Sequence, residues 1–225
     1  MYRDHEMASE GATTRDKLLD AAAKLLAERG VNNVSLAEIV RAAGQRNASA
    51  IHYHFGSRDE VLRAILERHV PVIRERRVEL LALAATRDDA RSAAEALVRP
   101  VTEFAQLGWR ERAYLQIGSE LTSYLDRATP SIQRLLRETA GHDAMALLRE
   151  RCPPVPNDIW NERTAIATAF LGRAAADRAR LLESRSRERQ NALPDEEFVE
   201  NLVDMFLGAI TSPVSVRTGD RVTGG

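Results

Sequence analysis

One cysteine in 225 residues, Cys152, leaves no partner for an internal disulfide. The chain therefore reads as a protein of a reducing compartment, and a cytoplasmic location is the expectation. Lysine is nearly missing: Lys17 and Lys24 are the only two, and the remaining positive charge is arginine. Aromatic residues make up 5%. Sustained apolar–polar alternation and Asn-Gly turns are absent, which argues against sheet. No run approaches roughly 18 consecutive apolar residues, so no membrane span is expected. The opening "MYRDHEMASEGATTRD" also lacks the apolar core of a signal peptide. An excess of one charge is missing too. Thirty-two Lys and Arg face 33 Asp and Glu, a net charge of −1. That excludes a globally basic nucleic-acid coat and an acidic disordered tail, but leaves room for a local basic patch. No Gly-rich phosphate loop or Gly-x-Ser-x-Gly elbow occurs, so an enzyme is not expected.

What is present is helix. Ala, Leu, Arg and Glu dominate, and all four favour that conformation. The first predicted helix covers 14–29, where Leu18, Leu19, Ala22, Leu25 and Leu26 recur at three- and four-residue spacing. The second covers 36–43, opened by a capping box of Ser35 and Glu38 and closed by Gly44. A short third helix covers 48–55. A fourth follows a second capping box, Ser57 with Glu60, and runs to 83 with a bend expected at Pro71. Further helices are placed at 88–107, 109–126, 130–151, 159–184 and 195–211. "CPPVPND" (152–158) and "SRSRERQNALP" (184–194) serve as linkers. The fold class is all-α with about nine helices. Its parts are a polar, disordered arm (1–13), a three-helix unit (14–60), a larger helical domain (61–212) and a flexible tail (213–225).

Residues 35–55 carry the functional signal. A capped helix, a glycine-led turn and a second short helix form the layout of a helix-turn-helix, whose second helix enters the DNA major groove. Between Ile39 and Ser57 there is no Asp or Glu, while Arg41, Arg46, His52 and His54 stand in the window and Arg58 just beyond. Phosphate repels carboxylate and attracts guanidinium, so an acid-free surface on a neutral protein is the expected footprint of a duplex. A helical hairpin with chance depletion of acid is the plainer alternative. Ile51 and Phe55, four apart, read as core. His52 and His54 point about 200° from each other on a helix and cannot chelate one metal ion. No metal or other cofactor is expected. Asp88-Asp89 reads as a helix cap, and Cys152 as structural.

The stretch 14–66, with Arg29-Gly30, Val34-Ser35, Ala42-Ala43-Gly44 and above all "YHFGSRDEVL" at 53–62, resembles the N-terminal DNA-binding domain of TetR-family transcriptional repressors. The sequence departs from the family's common pattern at His52, where that pattern has Tyr, and in a turn one residue longer, "GQRNASA". The resemblance implies DNA contacts from Ser35, Arg46, Asn47, Ser49, His52, Tyr53, His54 and Arg58. Arg46 suits guanine and Asn47 adenine, while Ser49 is small enough for close approach to the groove. Asn47 could instead cap the third helix, His54 fill an interface, and Arg58 stay solvated.

The remaining residues resemble the family's ligand-binding and dimerisation domain by helix count and position. Trp109, Tyr114, Tyr124 and Trp160 are candidates for an effector pocket, with plain core packing as the alternative. The last two long helices read as a dimer face through Ala169, Gly172, Ala176, Leu202, Phe206 and Ile210, with a buried monomer core as the alternative. The expected function is a homodimeric repressor that binds a palindromic double-stranded operator and is released by an unknown small-molecule effector. The rival is a helical small-molecule-binding protein without DNA-binding activity.

Overall fold

The structure, a computed structural model, describes residues 13–215 apart from 48, 124, 140 and 185. Most of the expected arm, the end of the expected tail and Tyr124 lie outside the described residues. Eleven helices are present among the described residues: α1 (Thr14–Arg29), α2 (Leu36–Ala42), α3 (Ala50–Phe55), α4 (Arg58–Ala85), α5 (Ala90–Leu107), α6 (Trp109–Thr122), α7 (Pro130–Glu138), α8 (His142–Arg151), α9 (Asn157–Glu183), α10 (Arg187–Gln190) and α11 (Asp195–Thr211). The fold is all-α. No helix among the described residues is long and apolar enough to cross a membrane.

Four of the helix starts, those of α1, α2, α4 and α5, are set by a capping side chain. Thr13 accepts from Asp16 N–H at the start of α1, and Asp89 accepts from Ser92 N–H at the start of α5. Ser57 accepts from Glu60 N–H, but the Glu60 carboxylate turns to Arg63 instead of returning to Ser57, so only half of the expected second capping box forms. α4 passes through Pro71 as one helix. The helix expected over 109–126 stops at Thr122. There the Thr122 and Ser123 hydroxyls donate to the carbonyls of Gly118 and Ser119, competing with the backbone for its own acceptors. A short 3-10 turn, Leu125–Arg127, follows.

The helix expected over 130–151 is two helices. The break falls at Gly141, which sits in the left-handed region at φ 72°. A Cβ there would meet Leu97 Cδ2 at 2.7 Å and Arg77 Nε at 2.9 Å. The glycine thus serves two needs at once: it turns the chain, and it lets the turn close on α4 and α5. The apolar periodicity of α7 and α8 gave no hint of this, because each half keeps its own buried stripe.

Two apolar cores result. One unites α1, α2 and α3 with α4, the end of α5, α6 and the end of α9, through residues such as Leu18, Ile39, Ile51, Ile65, Phe104 and Ile117. It runs straight across the expected boundary at residue 60. The other joins the start of α5 to α8, the start of α9 and α11. Leu202, Phe206 and Ile210 lie in this second core at 2% exposure or less, and Ala176 is equally buried. All four are already buried within the single chain, so they are not a surface left to offer another copy. The monomer-core alternative holds for them, while Ala169 is exposed and Gly172 half-exposed.

Gly141→Ala is expected to destabilise the protein by about 1–3 kcal/mol, through left-handed strain and the clash with Leu97. Denaturant unfolding at unchanged helix content measures it. A neutral result would show that the α7–α8 turn is not held against α4.

Candidate nucleic-acid interface

The helix-turn-helix begins at a complete capping box. Ser35 Oγ accepts from Glu38 N–H at 3.3 Å, and Glu38 accepts from Ser35 N–H at 2.8 Å. These bonds to Ser35 hold the Glu38 carboxyl below its usual range. The acid that opens α2 is thereby fixed at the helix start and further paired to Arg29 at 3.0 Å. At the other end Gly44, at φ 69°, lets Gln45 N–H reach back to the Val40 carbonyl and stops the helix.

The turn that follows delivers Arg46 and Asn47 exposed. Asn47 Oδ1 accepts from Ser49 N–H at 2.9 Å, so its side chain shapes the turn ahead of α3. This delays the start of α3 to Ala50, two residues later than the periodicity suggests. Ile51 and Phe55 point inward and are buried with Ile39 and Val40. The opposite face is left to Ser49, His52 and Tyr53, all exposed. Tyr53 is 86% exposed, more than any other large apolar side chain among the described residues. An aromatic ring left in water on a six-residue helix has no packing reason to be there. Among the described residues its only ring neighbour is His54, edge-on at 5.1 Å. His52 turns back along the helix, its Nδ1 lying 3.0 Å from the Gly56 carbonyl, which anchors the ring to the end of α3.

Arg58 is placed differently. Its guanidinium donates to the carbonyls of Val34, at 2.6 Å, and Val31. It ties the α1–α2 loop to the start of α4 and is half-buried in doing so. The solvated alternative fails for it, and any phosphate contact would have to share the guanidinium with those two carbonyls. Arg41 and Arg46 form no ion pair among the described residues. Arg15 was missed by sequence reasoning. From the first turn of α1, 40 residues earlier in sequence, it lays its guanidinium 4.9 Å from the Phe55 ring centre. Helical spacing within α1 could have marked it as exposed, but nothing local could have placed it beside α3.

Behind this unit lies a cavity of about 780 Å³, bounded by α4, α5, α6, α7, α9 and α11 and touching α1 at Ala27. Tyr114 lines it. Trp109 does not: it is sandwiched between Lys24 and Arg110, at 4.6 and 4.8 Å, on the seam between α1 and α6. Trp160 is also elsewhere, buried in the second core under the Arg149 guanidinium at 4.5 Å. For these two the core-packing alternative holds. Ala169 and Gly172, expected at a dimer face, border the cavity. Glu120 also borders it, and its two carboxylate oxygens each accept from Val31 N–H at 3.0 Å. Cys152 is half-buried, and burial pushes its thiol up, away from reactivity.

The short pair α2–α3, with a buried inner stripe and no acid between Ile39 and Ser57, is a helix-turn-helix. Residues 18–65 match the family described as bacterial regulatory proteins, tetR family. Over 59 residues the chain is 37% identical to the HTH-type transcriptional regulator SrpR of Pseudomonas putida, a stretch covering 26% of this chain and 27% of SrpR. The chain thus spans about a quarter of the curated relative's length in that match. A TetR-family transcriptional regulator from Bordetella parapertussis 12822 superposes with a TM-score of 0.61 at 17% identity, covering 92% of this chain and all of the other. AibR, solved with isovaleryl coenzyme A and operator DNA, superposes with a TM-score of 0.56 at 14% identity, covering 90% of this chain and 100% of AibR. Residues 18–65 thus carry the sequence pattern of the tetR family, and the chain as a whole shares its fold with solved TetR-family regulators.

The two arginines make opposite predictions. Arg58→Ala removes charged hydrogen bonds to two loop carbonyls and is expected to lower stability by about 1–3 kcal/mol. Arg46→Ala should stay within about 0.5 kcal/mol, as a free surface side chain does. Urea unfolding of both variants checks this, and equal losses would contradict the placement of Arg58.

Proposed function

We propose that this protein is a sequence-specific DNA-binding repressor that acts as a two-fold dimer and is released by a small molecule. The observation that carries the reading is the exposed face of Arg41, Arg46, Ser49 and Tyr53, free of acid and unneeded for packing. Arg46 and Asn47 stand where the turn meets α3 and would reach base edges or phosphates. Ser35, Ser49, Tyr53 and His54 would position the backbone. His52 and Arg58 would act mainly by holding α3 and the α1–α2 loop in shape.

Pairing would use the outward side of α9 and α11. Once Leu202, Phe206 and Ile210 are spent inside, that side still exposes Ala165, Ile166 and Ala169 on α9 and Met205, Gly208 and Ala209 on α11. Ile166 is 60% and Met205 49% exposed. Small and apolar residues together favour close helix approach. A two-fold dimer would then present two copies of α3 about 34–36 Å apart, one DNA turn.

Release would run through the loop that both parts of the molecule share. Glu120, on the cavity wall, holds Val31 N–H, while Arg58, at the head of α4, holds the Val31 carbonyl. A ligand that binds one arrangement of α4 and α6 better than another would shift the position of α3 by that difference in affinity. The fold shared with AibR supports this reading. The cavity alone would equally suit a small-molecule-binding protein without DNA activity, and charge reversal at Arg46 separates the two.

Selection from random duplexes with the full chain should return a near-palindrome with half-sites one turn apart. Arg46→Glu should then weaken binding to that site by roughly 10–100-fold. A gel shift that finds no bound fragment at low salt would overturn the reading. Glu120→Ala frees Val31 and is expected to weaken operator binding several-fold while leaving dimerisation intact. Sedimentation with fluorescent operator reads both, and unchanged affinity would remove Glu120 from the path.

A further inference from the structure

The cavity's polar groups are few and unevenly charged. Its walls are apolar along Ile73, Leu97, Leu171 and Phe206. At one end stands Arg77, 7% exposed, from the middle of α4. Its Nε donates to the Ala96 carbonyl at 3.1 Å and its Nη1 to the Thr139 carbonyl at 2.6 Å. A guanidinium carries five N–H donors, so these two bonds leave the Nη edge with donors to spare. Among the described residues no carboxylate lies within ion-pair distance of it. Burial pulls its pKa down to about 10, which still leaves it charged at neutral pH. Carbonyl dipoles solvate that charge without neutralising it, and a buried, unpaired cation is costly.

The other charged groups on the wall do not answer it. Glu120 is committed to Val31 N–H. Arg173 and Arg180 share Asp177, and Arg137 is exposed and, among the described residues, bonded only to Gln133. Four guanidinium groups thus face one carboxylate that is already engaged. Tyr114, whose phenol burial pushes up to about 12, stays protonated and can donate.

We infer that the cavity takes an amphipathic organic monoacid, its carboxylate on the buried Arg77 and its apolar body against Ile73, Leu97, Leu171 and Phe206. This deepens the ligand-controlled reading and rests on it for its biological meaning. A single deep guanidinium matches a single carboxylate. A cation would meet uncompensated positive charge, and a neutral ligand would leave Arg77 unpaired. The choice of α4 also gives the ligand leverage. Arg77 and Arg58 lie on the same helix, about 28 Å apart at 1.5 Å per residue. A carboxylate competing with the Ala96 and Thr139 carbonyls for Arg77 acts on the helix whose other end grips the α1–α2 loop.

Calorimetric titration of the full chain, without DNA, tests this with octanoate, octanamide and octylamine, which share one apolar length. Octanoate is expected to bind at least roughly ten-fold tighter than octanamide, as a charged hydrogen bond requires, and octylamine not at all. Arg77→Met should bring octanoate and octanamide to within about two-fold, and Arg77→Lys should keep part of the preference. Circular dichroism checks that the variants are folded. Should Arg77→Met not fold, Leu171→Trp, which fills the cavity with Arg77 intact, should abolish octanoate binding. Amide or amine binding as tight as octanoate, an unchanged preference in folded Arg77→Met, octanoate binding that survives Leu171→Trp, or no binding of octanoate at millimolar concentration would each overturn the inference. Since no DNA is present, a failed gel shift leaves this result standing, and the reverse also holds.

Discussion

Both polar groups of one peptide residue, Val31, are held by side chains from outside the helix-turn-helix. Glu120 of α6 accepts its N–H, and Arg58 of α4 donates to its carbonyl. A loop between two helices would ordinarily satisfy these groups with water. Here they are taken by the two helices that also wall the cavity, and the Val31 side chain is buried beneath them. The position of the helix-turn-helix therefore depends on where α4 and α6 stand. Without those bonds the hairpin would keep its own caps and its own Ile39–Ile51 packing. It would lose its fixed attitude to the rest of the chain.

The two cores make the same dependence physical in a second way. The core of α1, α2 and α3 is not closed by those helices alone, since Phe104, Ile117 and Leu121 complete it from α5 and α6. A small three-helix unit buries too little apolar surface to be rigid alone, and here it borrows some. The cavity lies where this shared core meets the core of α8, α9 and α11. Packed interiors switch between discrete arrangements more readily than they deform continuously, so the proposed ligand, seated in a void at this junction, would select between arrangements.

Most of the fold could be read from the chain because its signals are local. Ser35 with Glu38, Asp89 with Ser92 and the three prolines after Cys152 mark ends that depend on neighbours a few residues away. What could not be read depends on distant partners. The break at Gly141 exists because Arg77 and Leu97 come close to it in space. Trp109 and Trp160 look alike as candidate ligand rings, yet one is stacked between two cations at the α1 seam and the other lies in the second core. Leu202, Phe206 and Ile210 form an apolar stripe whatever covers it, and periodicity cannot tell an intramolecular partner from a second copy. Tyr53 is the instructive contrast. Its motif pointed to a DNA-facing position, and the structure leaves its ring bare.

Arginine usage joins these observations. With two lysines in the whole chain, nearly every cationic role falls to a planar fork able to bond several acceptors at once. Arg58 spans two carbonyls of one loop, Arg151 reaches the Asp89 and Ala84 carbonyls, and Arg178 binds Asp195 and the Leu193 carbonyl. In each case the guanidinium fastens a helix to a loop or helix end that backbone hydrogen bonds cannot reach. Arg77 follows that pattern with one difference. It binds the end of α7 and a carbonyl of α5, but it does so facing a void and, among the described residues, with no ion-pair partner. A lysine there would hold one acceptor at a time. The guanidinium can keep its structural bonds and still present an unused edge to the cavity, so one side chain joins the packing of the domain to what the domain can bind.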